Sequence, residues 1–460
     1  MNTAAISAYD PLYDPLKDAT PGHGREYAPT YWVDSAGPAP DDDGPIRGNV
    51  DVEVAVIGSG YTGLSAALHL ARDHGIGAVV LEANRTAFGC STRNGGQGQF
   101  ATGRLKRSGW IERWGVDIAR GMHSECMEAF ELYRSLLKEP LVQPDAVDGG
   151  HIYAAHRPWA FEKIKKESAL LNEVFKYPST VLSAEETRER HFYDRECCGS
   201  QFEPDGVAIH PAKYAFGLVR LARSLGVKIH PSSPVQGWRR EGDRYVLTTP
   251  GGDVRARRVI VATAGYTAPG LHNLTRHRLF PILSNSIVTR QLTDAEIADC
   301  GFKSDAFYTD TRILRHYYRF IRGDRRVQIS SRSAITGRDA ANDKHLARLR
   351  AALGRKFPAL DGIELDYSWW GWVDVGHDMM PRIFRPDPNE HIYYSLAYGG
   401  NGVMYSAQAG RRAAALCAGK AVPALPIFQS ALPTEGLLTP FRRLGQQLLY
   451  LWYFTNDERP

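Results

Sequence analysis

Cysteine is scarce and scattered in this chain. Six occur among 460 residues, Cys90, Cys126, Cys197, Cys198, Cys300 and Cys417. The one close pair is adjacent, so neither a disulfide framework nor a CxxC metal or redox motif is expected. Long apolar runs are also missing: 43% of residues are hydrophobic, yet no run reaches the roughly 18 residues that span a bilayer. The opening MNTAAISAYDPLYDPL has no basic segment leading into an apolar one, so no signal or transit peptide is expected and a cytoplasmic location is. Charge of one sign is thin, at a formal +5. Seven arginines fall between Arg312 and Arg332, but RHYYRFI, a Gly323-Asp324 turn and RRVQISS read as a β-hairpin that divides them between two faces. With no reader module besides, nucleic acid is not an expected partner. No internal repeat extends beyond a tandem YDPL at Tyr9 to Leu16.

What is present fits two interleaved cores with a cleft between them. Residues 1–50 hold seven prolines and five glycines, which forbid regular structure. Their aromatics, Tyr9, Tyr13, Tyr27, Tyr31 and Trp32, predict an extended arm laid over the body or over a neighbouring subunit, and so a possible homo-oligomer through the arm. From Asp51 the pattern becomes strand (VEVAVIG), helix (YTGLSAALHLARDHG) and strand (AVVLEA), a βαβ unit. Later, GDRYVLTTPGGDVRARRVIVATAG reads as a hairpin followed by a buried strand, and EHIYYSLAYGGNGVMYSAQAGRRAAALCAG as strand, glycine loop and helix. Helices are expected around 117–137 and 160–174, and a strand-rich block around 279–335.

Gly58-Ser59-Gly60-Tyr61-Thr62-Gly63 sits between the first strand and the first helix. That is where a dinucleotide fingerprint needs a tight turn, backbone approach to a pyrophosphate, and close helix packing. Glu82 ends the second strand, where a carboxylate can accept the ribose hydroxyls. Two further glycine loops favour FAD over NAD: Gly89 to Gln97 soon after Glu82, and Gly399-Gly400-Asn401-Gly402 opening a late helix whose N–H donors can meet a flavin edge. A pyridine-nucleotide disulfide reductase is disfavoured, since there is neither a redox cysteine pair nor a second GxGxxG.

The runs VAVIGSGYTGLSAALHLA, VVLEANRTAFGCSTRNGGQ, VIVATAGYT, WWGWVDVGHDMMP and YGGNGV, in that order, resemble the D-amino-acid oxidase-like superfamily of FAD oxidoreductases, and within it the gamma-glutamylputrescine oxidases. The resemblance implies an α/β fold: a Rossmann-like FAD-binding domain (51–115, 196–270 and 362–460) with an inserted, β-sheet-rich α+β substrate domain (116–195 and 271–361). It implies that Gly58, Gly60 and Gly63 hold the pyrophosphate and Glu82 the ribose, and that Val235 meets the adenine. Ser91, Arg93, Asn94, Gly95 and Gly96 would line the flavin, with Gly400, Asn401, Gly402 and Val403 at the isoalloxazine. Tyr61, Thr62, Ala83, Gln97, Gly265 and Met404 complete the expected cofactor set. Three positions depart from the family pattern: Cys90, Gly376, and Ser330-Ser331. With no cysteine between Cys300 and Cys417, FAD is expected to be non-covalent.

The implied chemistry is oxidation of a primary or secondary amine, gamma-glutamylputrescine-like, polyamine-like or amino-acid-derived, with O2 or another electron acceptor. Such a site must favour the neutral amine, and an aromatic, poorly hydrated pocket does so. Tyr317, Tyr318, Arg319 and Trp370 are the expected substrate-pocket residues, with Trp372 and Tyr398 as further walls. Arg315 and Arg319 share a strand face with Tyr317 and are placed to grip a carboxylate, unless they are surface arginines. His210 reads as structural, and His377 with Asp378 lacks a third ligand for a metal. The segment LGQQLLYLWYF is expected to cover the protein's own core, the alternative being a membrane-surface helix. Two rival functions stand beside the oxidase: an amino-acid or imino-acid dehydrogenase feeding a quinone, and a flavin-stabilised non-catalytic partner protein.

Overall fold

The strand Val50–Ile57 buries its last four residues completely, as a strand covered on both faces must. In the computed structural model, which describes residues 9–21, 26–434 and 440–457, this strand is central. It runs parallel to Ala78–Leu81 on one side and to Gly252–Val261 on the other. Lys228–His230 extends one edge in parallel. On the other side Gly252–Val261 pairs antiparallel with Arg244–Thr249, which pairs in turn with Gly237–Glu241, and its end also pairs in parallel with Ile392–Leu396. Two helices, Tyr61–His74 and Gly402–Cys417, pack on each other. A Cβ on Gly410 would lie 2.5 Å from the Thr62 carbonyl, and Ser65 donates to the Ala407 carbonyl at 2.6 Å, so the two glycine loops that open these helices are held side by side.

A second sheet of eight strands runs in the order 365–373, 282–289, 326–331, 317–321, 307–310, 151–154, 199–203 and 180–183. It is antiparallel except where Phe307–Asp310 meets His151–Ala154. The hairpin read from RHYYRFI and RRVQISS is present, with Tyr317 paired to Ser330. Two strands assigned from sequence to the cofactor domain, Gly199–Glu203 and Leu365–Val373, are hydrogen-bonded into this second sheet instead. The boundaries drawn at 195 and 361 therefore move, because strand pairing across the chain overrides proximity in sequence. The helix Arg107–Leu137 starts ten residues earlier than expected and breaks its dihedrals at Gly115 (φ 81°).

The described part of the arm packs on its own chain, and it is not wholly irregular as expected, since Tyr31–Ser35 forms a short helix capped by Thr30. Trp32 and Tyr13 are each 1% exposed. Tyr13 sits against Tyr266 and Trp372, and Tyr9 stacks on Trp370 at 4.3 Å. The helix Arg442–Asp457 does not simply cover the core as expected. Tyr450 packs on Leu314 and Ile335, and Asp457 accepts the Ile313 and Leu314 N–H groups. Leu444, Leu448, Leu451 and Trp452 face solvent at 55–65% exposure, since they occupy the opposite side of the same helix.

Behind the second sheet a buried ionic cluster binds its layers. Lys356 Nζ lies 3.2 Å from carboxylate oxygens of Asp194, Glu196 and Asp310, and Arg312 contacts Asp310 and Glu196 at 2.7 and 3.1 Å. Burial opposes ionisation of these acids. Lys356 and Arg312 outweigh it, holding Glu196 down to about 2 and Asp310 well below the carboxylate range. Depressed folded-state pKa values stabilise the fold above the unfolded carboxylate pKa of about 4 and lose that contribution as pH falls toward about 2. Thermal unfolding is expected to drop in midpoint between about pH 5 and 2. Lys356→Met leaves the acids under-compensated and should cost about 3–5 kcal/mol; a midpoint unchanged by that substitution contradicts this account.

Candidate active site

The central strand ends at Ile57 and turns sharply into the helix at Tyr61, and no side chain fits inside that turn. Gly58 adopts φ 103°, and a Cβ there would lie 2.6 Å from the Ala262 carbonyl; a Cβ on Gly63 would lie 1.9 Å from the Gly58 carbonyl. Gly60 differs. Its φ of −71° is ordinary and its would-be Cβ meets only Ser91 Oγ at 3.1 Å, so the protein itself scarcely demands glycine there. Gly60 leaves open a cleft of about 1940 Å³, counted with its mouth, that runs between the two sheets.

Leu81, Glu82, Ala83, Ser233 and Val235 line one end of this cleft. Glu82 accepts from Ser59 Oγ at 2.7 Å and from the Ser59 and Asn84 N–H groups, which fix the carboxylate facing along the strand ends. The middle is formed by Gly58, Gly60, Tyr61, Thr62, Ser91, Arg93, Asn94, Gly95 and Gln97, and the far side by Gly400, Asn401, Gly402 and Val403. The cleft is long and carries glycine backbone and two helix N-termini at its middle, one carboxylate at one end and an aromatic chamber at the other. That form suits an extended dinucleotide with a flat ring system.

Four members of the expected cofactor set stand behind the lining. Gly63 and Gly265 make close backbone contacts, Gly265 with Trp372; Gly96 lies against the Ile209 carbonyl; and Met404 is core, 1% exposed. Asn94 folds its own loop, its amide donating to Cys90 O at 3.0 Å and its carbonyl accepting from Gly96 N at 2.8 Å. Arg93 donates through Nε to Phe88 O, while both Nη atoms are buried with no described partner. It lies under the rings of Phe88 and Tyr9 at 4.5 and 5.1 Å. The guanidinium is thus enclosed by rings, Tyr266 at 5.7 Å among them, and supports the glycine loop from behind.

Of the expected substrate-pocket residues, Tyr317 lines the cleft and Tyr318, Arg319 and Trp370 do not. Strand alternation explains Tyr318: pointing away from Tyr317, it donates to Asp194 at 2.5 Å in the ionic cluster. Arg319 shares the Tyr317 face but donates to the Ile209 carbonyl at 2.8 Å beneath Trp32, buttressing the glycine loop; burial brings its pKa down to about 10. Trp370 is covered by Tyr9. Tyr398 lines the cleft and Trp372 is buried behind it. His210 caps the helix Pro211–Ser224. Asp378 pairs with Arg382, and the described residues hold no cluster able to bind a metal. Among the departures, Cys90 lines the cleft while Gly376, Ser330 and Ser331 do not.

Sequence reasoning missed Tyr266, Ser284, Thr309, Arg332, Asp374 and Arg104, all of which line the cleft. Arg332 was within reach, since it continues the alternation of the recognised hairpin. Asp374 was not, because its role rests on burial: desolvation raises its carboxyl to about 6, and it accepts the Ala397 N–H.

The fold and cleft define a flavin-type dinucleotide enzyme. Residues 53–416 match the family model described as DAO, FAD dependent oxidoreductase, and the chain belongs to that family and uses FAD. It is 30% identical to gamma-glutamylputrescine oxidoreductase of Escherichia coli (strain K12) over 398 residues, 86% of this chain and 90% of that protein. It is 24% identical to glycine oxidase of Bacillus subtilis (strain 168), over 78% of this chain and 90% of the relative. The fold also resembles the crystal structure of glycine oxidase from Geobacillus kaustophilus, with TM-score 0.68 and 16% identity over 83% of this chain and 98% of that one.

Two outcomes are expected. Gly60→Ala should leave the apoprotein within about 1 kcal/mol of the parent while weakening FAD binding at least about tenfold; equal FAD affinity would show that Gly60 does not face the phosphates. Cys90 is the one described thiol in the cleft, and burial, then Asp374, pushes it up to about 12, so it stays protonated. Acid precipitation should therefore release all flavin into the supernatant.

Proposed function

We propose that this FAD-dependent oxidoreductase oxidises a primary or secondary amine that carries a carboxylate. The observation that carries the reading is Arg315, which lines the cleft beside Tyr317 and has no hydrogen bond or ion pair to any described residue. Its Nε is buried and unpartnered. A half-buried guanidinium facing an aromatic chamber is poised for an anion supplied from outside. Kinship with a gamma-glutamylputrescine oxidoreductase and a glycine oxidase supports an amine-bearing substrate.

Bound FAD supplies a two-electron acceptor for the hydride on the carbon next to nitrogen. The chain's residues do the rest. Arg315 would fix the substrate, and the Tyr317 and Tyr398 rings would exclude water and so favour the neutral amine. Tyr317 is held by its hydroxyl contact with Ser284 at 2.5 Å, and Gly95 lets its ring lie against the loop, where a Cβ would come within 3.1 Å. Water adds to the resulting imine to give an aldehyde or ketone and the departing amine or ammonia. Reoxidation by O2 to H2O2 completes the proposed cycle.

The outward face of Leu444, Leu448, Leu451 and Trp452 favours a second reading, a dehydrogenase that delivers electrons to a quinone at a membrane surface. No described helix is long and apolar enough to cross a membrane. The oxidase reading predicts that one of a panel of gamma-glutamyl amines, N-alkyl amino acids and amino acids bleaches the flavin anaerobically, with colour returning within seconds of admitting air. Slow return selects the dehydrogenase, and no bleaching by any member defeats both. Arg315→Met should lower kcat/KM for the active substrate about 10- to 100-fold, mainly through KM.

A further inference from the structure

The substrate end of the cleft holds a second cation. Arg315, two residues before the strand that carries Tyr317, and Arg332, the residue after the strand that carries Ser330, both line the cleft. Among the described residues no carboxylate offsets either: Arg332 donates to the Gly399 carbonyl, at 2.7 Å, and Arg315 lies 5.9 Å from the Tyr153 ring.

The surroundings add positive charge and remove negative. Lys106 Nζ sits 4.5 Å from the same Tyr153 ring, and Arg104 also lines the cleft. His151, which contacts Thr309 at 3.0 Å, is kept neutral, its pKa brought down to about 3 by burial and then by Arg315 and Lys106. Glu203, the carboxylate that faces Lys106 and Arg107, is outside the lining and is raised by burial. Among the described residues Asp374 is the one acid at this end of the cleft, and its carboxyl accepts the Ala397 N–H. Ser284, Thr309 and Tyr317 line the same cleft with neutral hydroxyls.

We infer that Arg315 and Arg332 form a two-point anion site, and that the amine oxidised here carries two carboxylates, one for each arginine. This rests on the amine-oxidation reading and goes beyond it, because a single carboxylate leaves Arg332 uncompensated and a polyamine meets two like charges. Arg332 is the residue that sets this specificity.

The test uses the FAD-loaded protein at constant ionic strength and non-oxidisable probes, with the shift of the flavin band and calorimetry as readouts. Glutarate or succinate should bind at least about tenfold tighter than butyrate. Arg332→Met should bring the dicarboxylates to the butyrate level while changing butyrate itself less than about threefold, and Arg332→Lys should recover part of the difference. Equal affinity of the parent for glutarate and butyrate overturns the inference, as does an equal loss of both in Arg332→Met, which would mark Arg332 as a support of the Gly399 loop. If dicarboxylates bind as expected but no amine bleaches the flavin, the anion site stands and the amine reading falls. If a monocarboxylic amine bleaches the flavin and glutarate does not compete, the reverse holds, and bleaching by a polyamine that carries no carboxylate overturns both.

Discussion

The site depends on one steric constraint: the central strand must turn into a helix within three residues, with backbone where side chains would otherwise be. The Gly63 position lies 1.9 Å from the Gly58 carbonyl in Cβ terms, and the Gly58 position 2.6 Å from that of Ala262. Only glycine lets strand, helix and the neighbouring strand end meet there. The meeting places a helix N-terminus, with its unpaired N–H groups, at the middle of a long cleft. Gly410 repeats the device between helices and brings the second N-terminus, at Gly402, to the same cavity. The cofactor cradle is thus a by-product of close packing.

The second sheet works through alternation. On one strand Tyr317 faces the cleft and Tyr318 faces the ionic cluster, so a single hairpin ties the cleft wall to Lys356, Asp194 and Asp310. A buried charge cluster of that kind contributes little net stability against a hydrophobic replacement but punishes any missing partner. It fixes which face of the hairpin looks inward, and hence which arginines do. Arg319 is the exception: on the inward face, it is drawn under the glycine loop by two carbonyls.

How much was legible before the fold was known follows from these two devices. The glycine turn and Glu82 were, because tight turns leave a local signature in sequence. The arm's aromatics signalled docking, but not that Tyr9 would cover Trp370 and remove it from the pocket; that contact spans most of the chain. Aromatic identity alone makes Tyr318 a pocket wall, whereas the strand's period of two turns it to the opposite face from Tyr317. Asp374 and Arg332 carry no local motif, and their roles come from burial and from what fails to pair with them. The leucines of 442–457 suggest an inward face because an apolar helix usually has one, and only packing shows which side is covered.

The central claim is that this cleft brings the carbon beside an amine to the flavin. Stopped-flow reduction under anaerobic conditions, comparing the active amine with the same amine deuterated at that carbon, tests it most directly. The account predicts that loss of flavin absorbance slows several-fold with deuterium, in a phase that saturates with substrate. An isotope-independent rate at saturation, or bleaching without a carbonyl product, would contradict it.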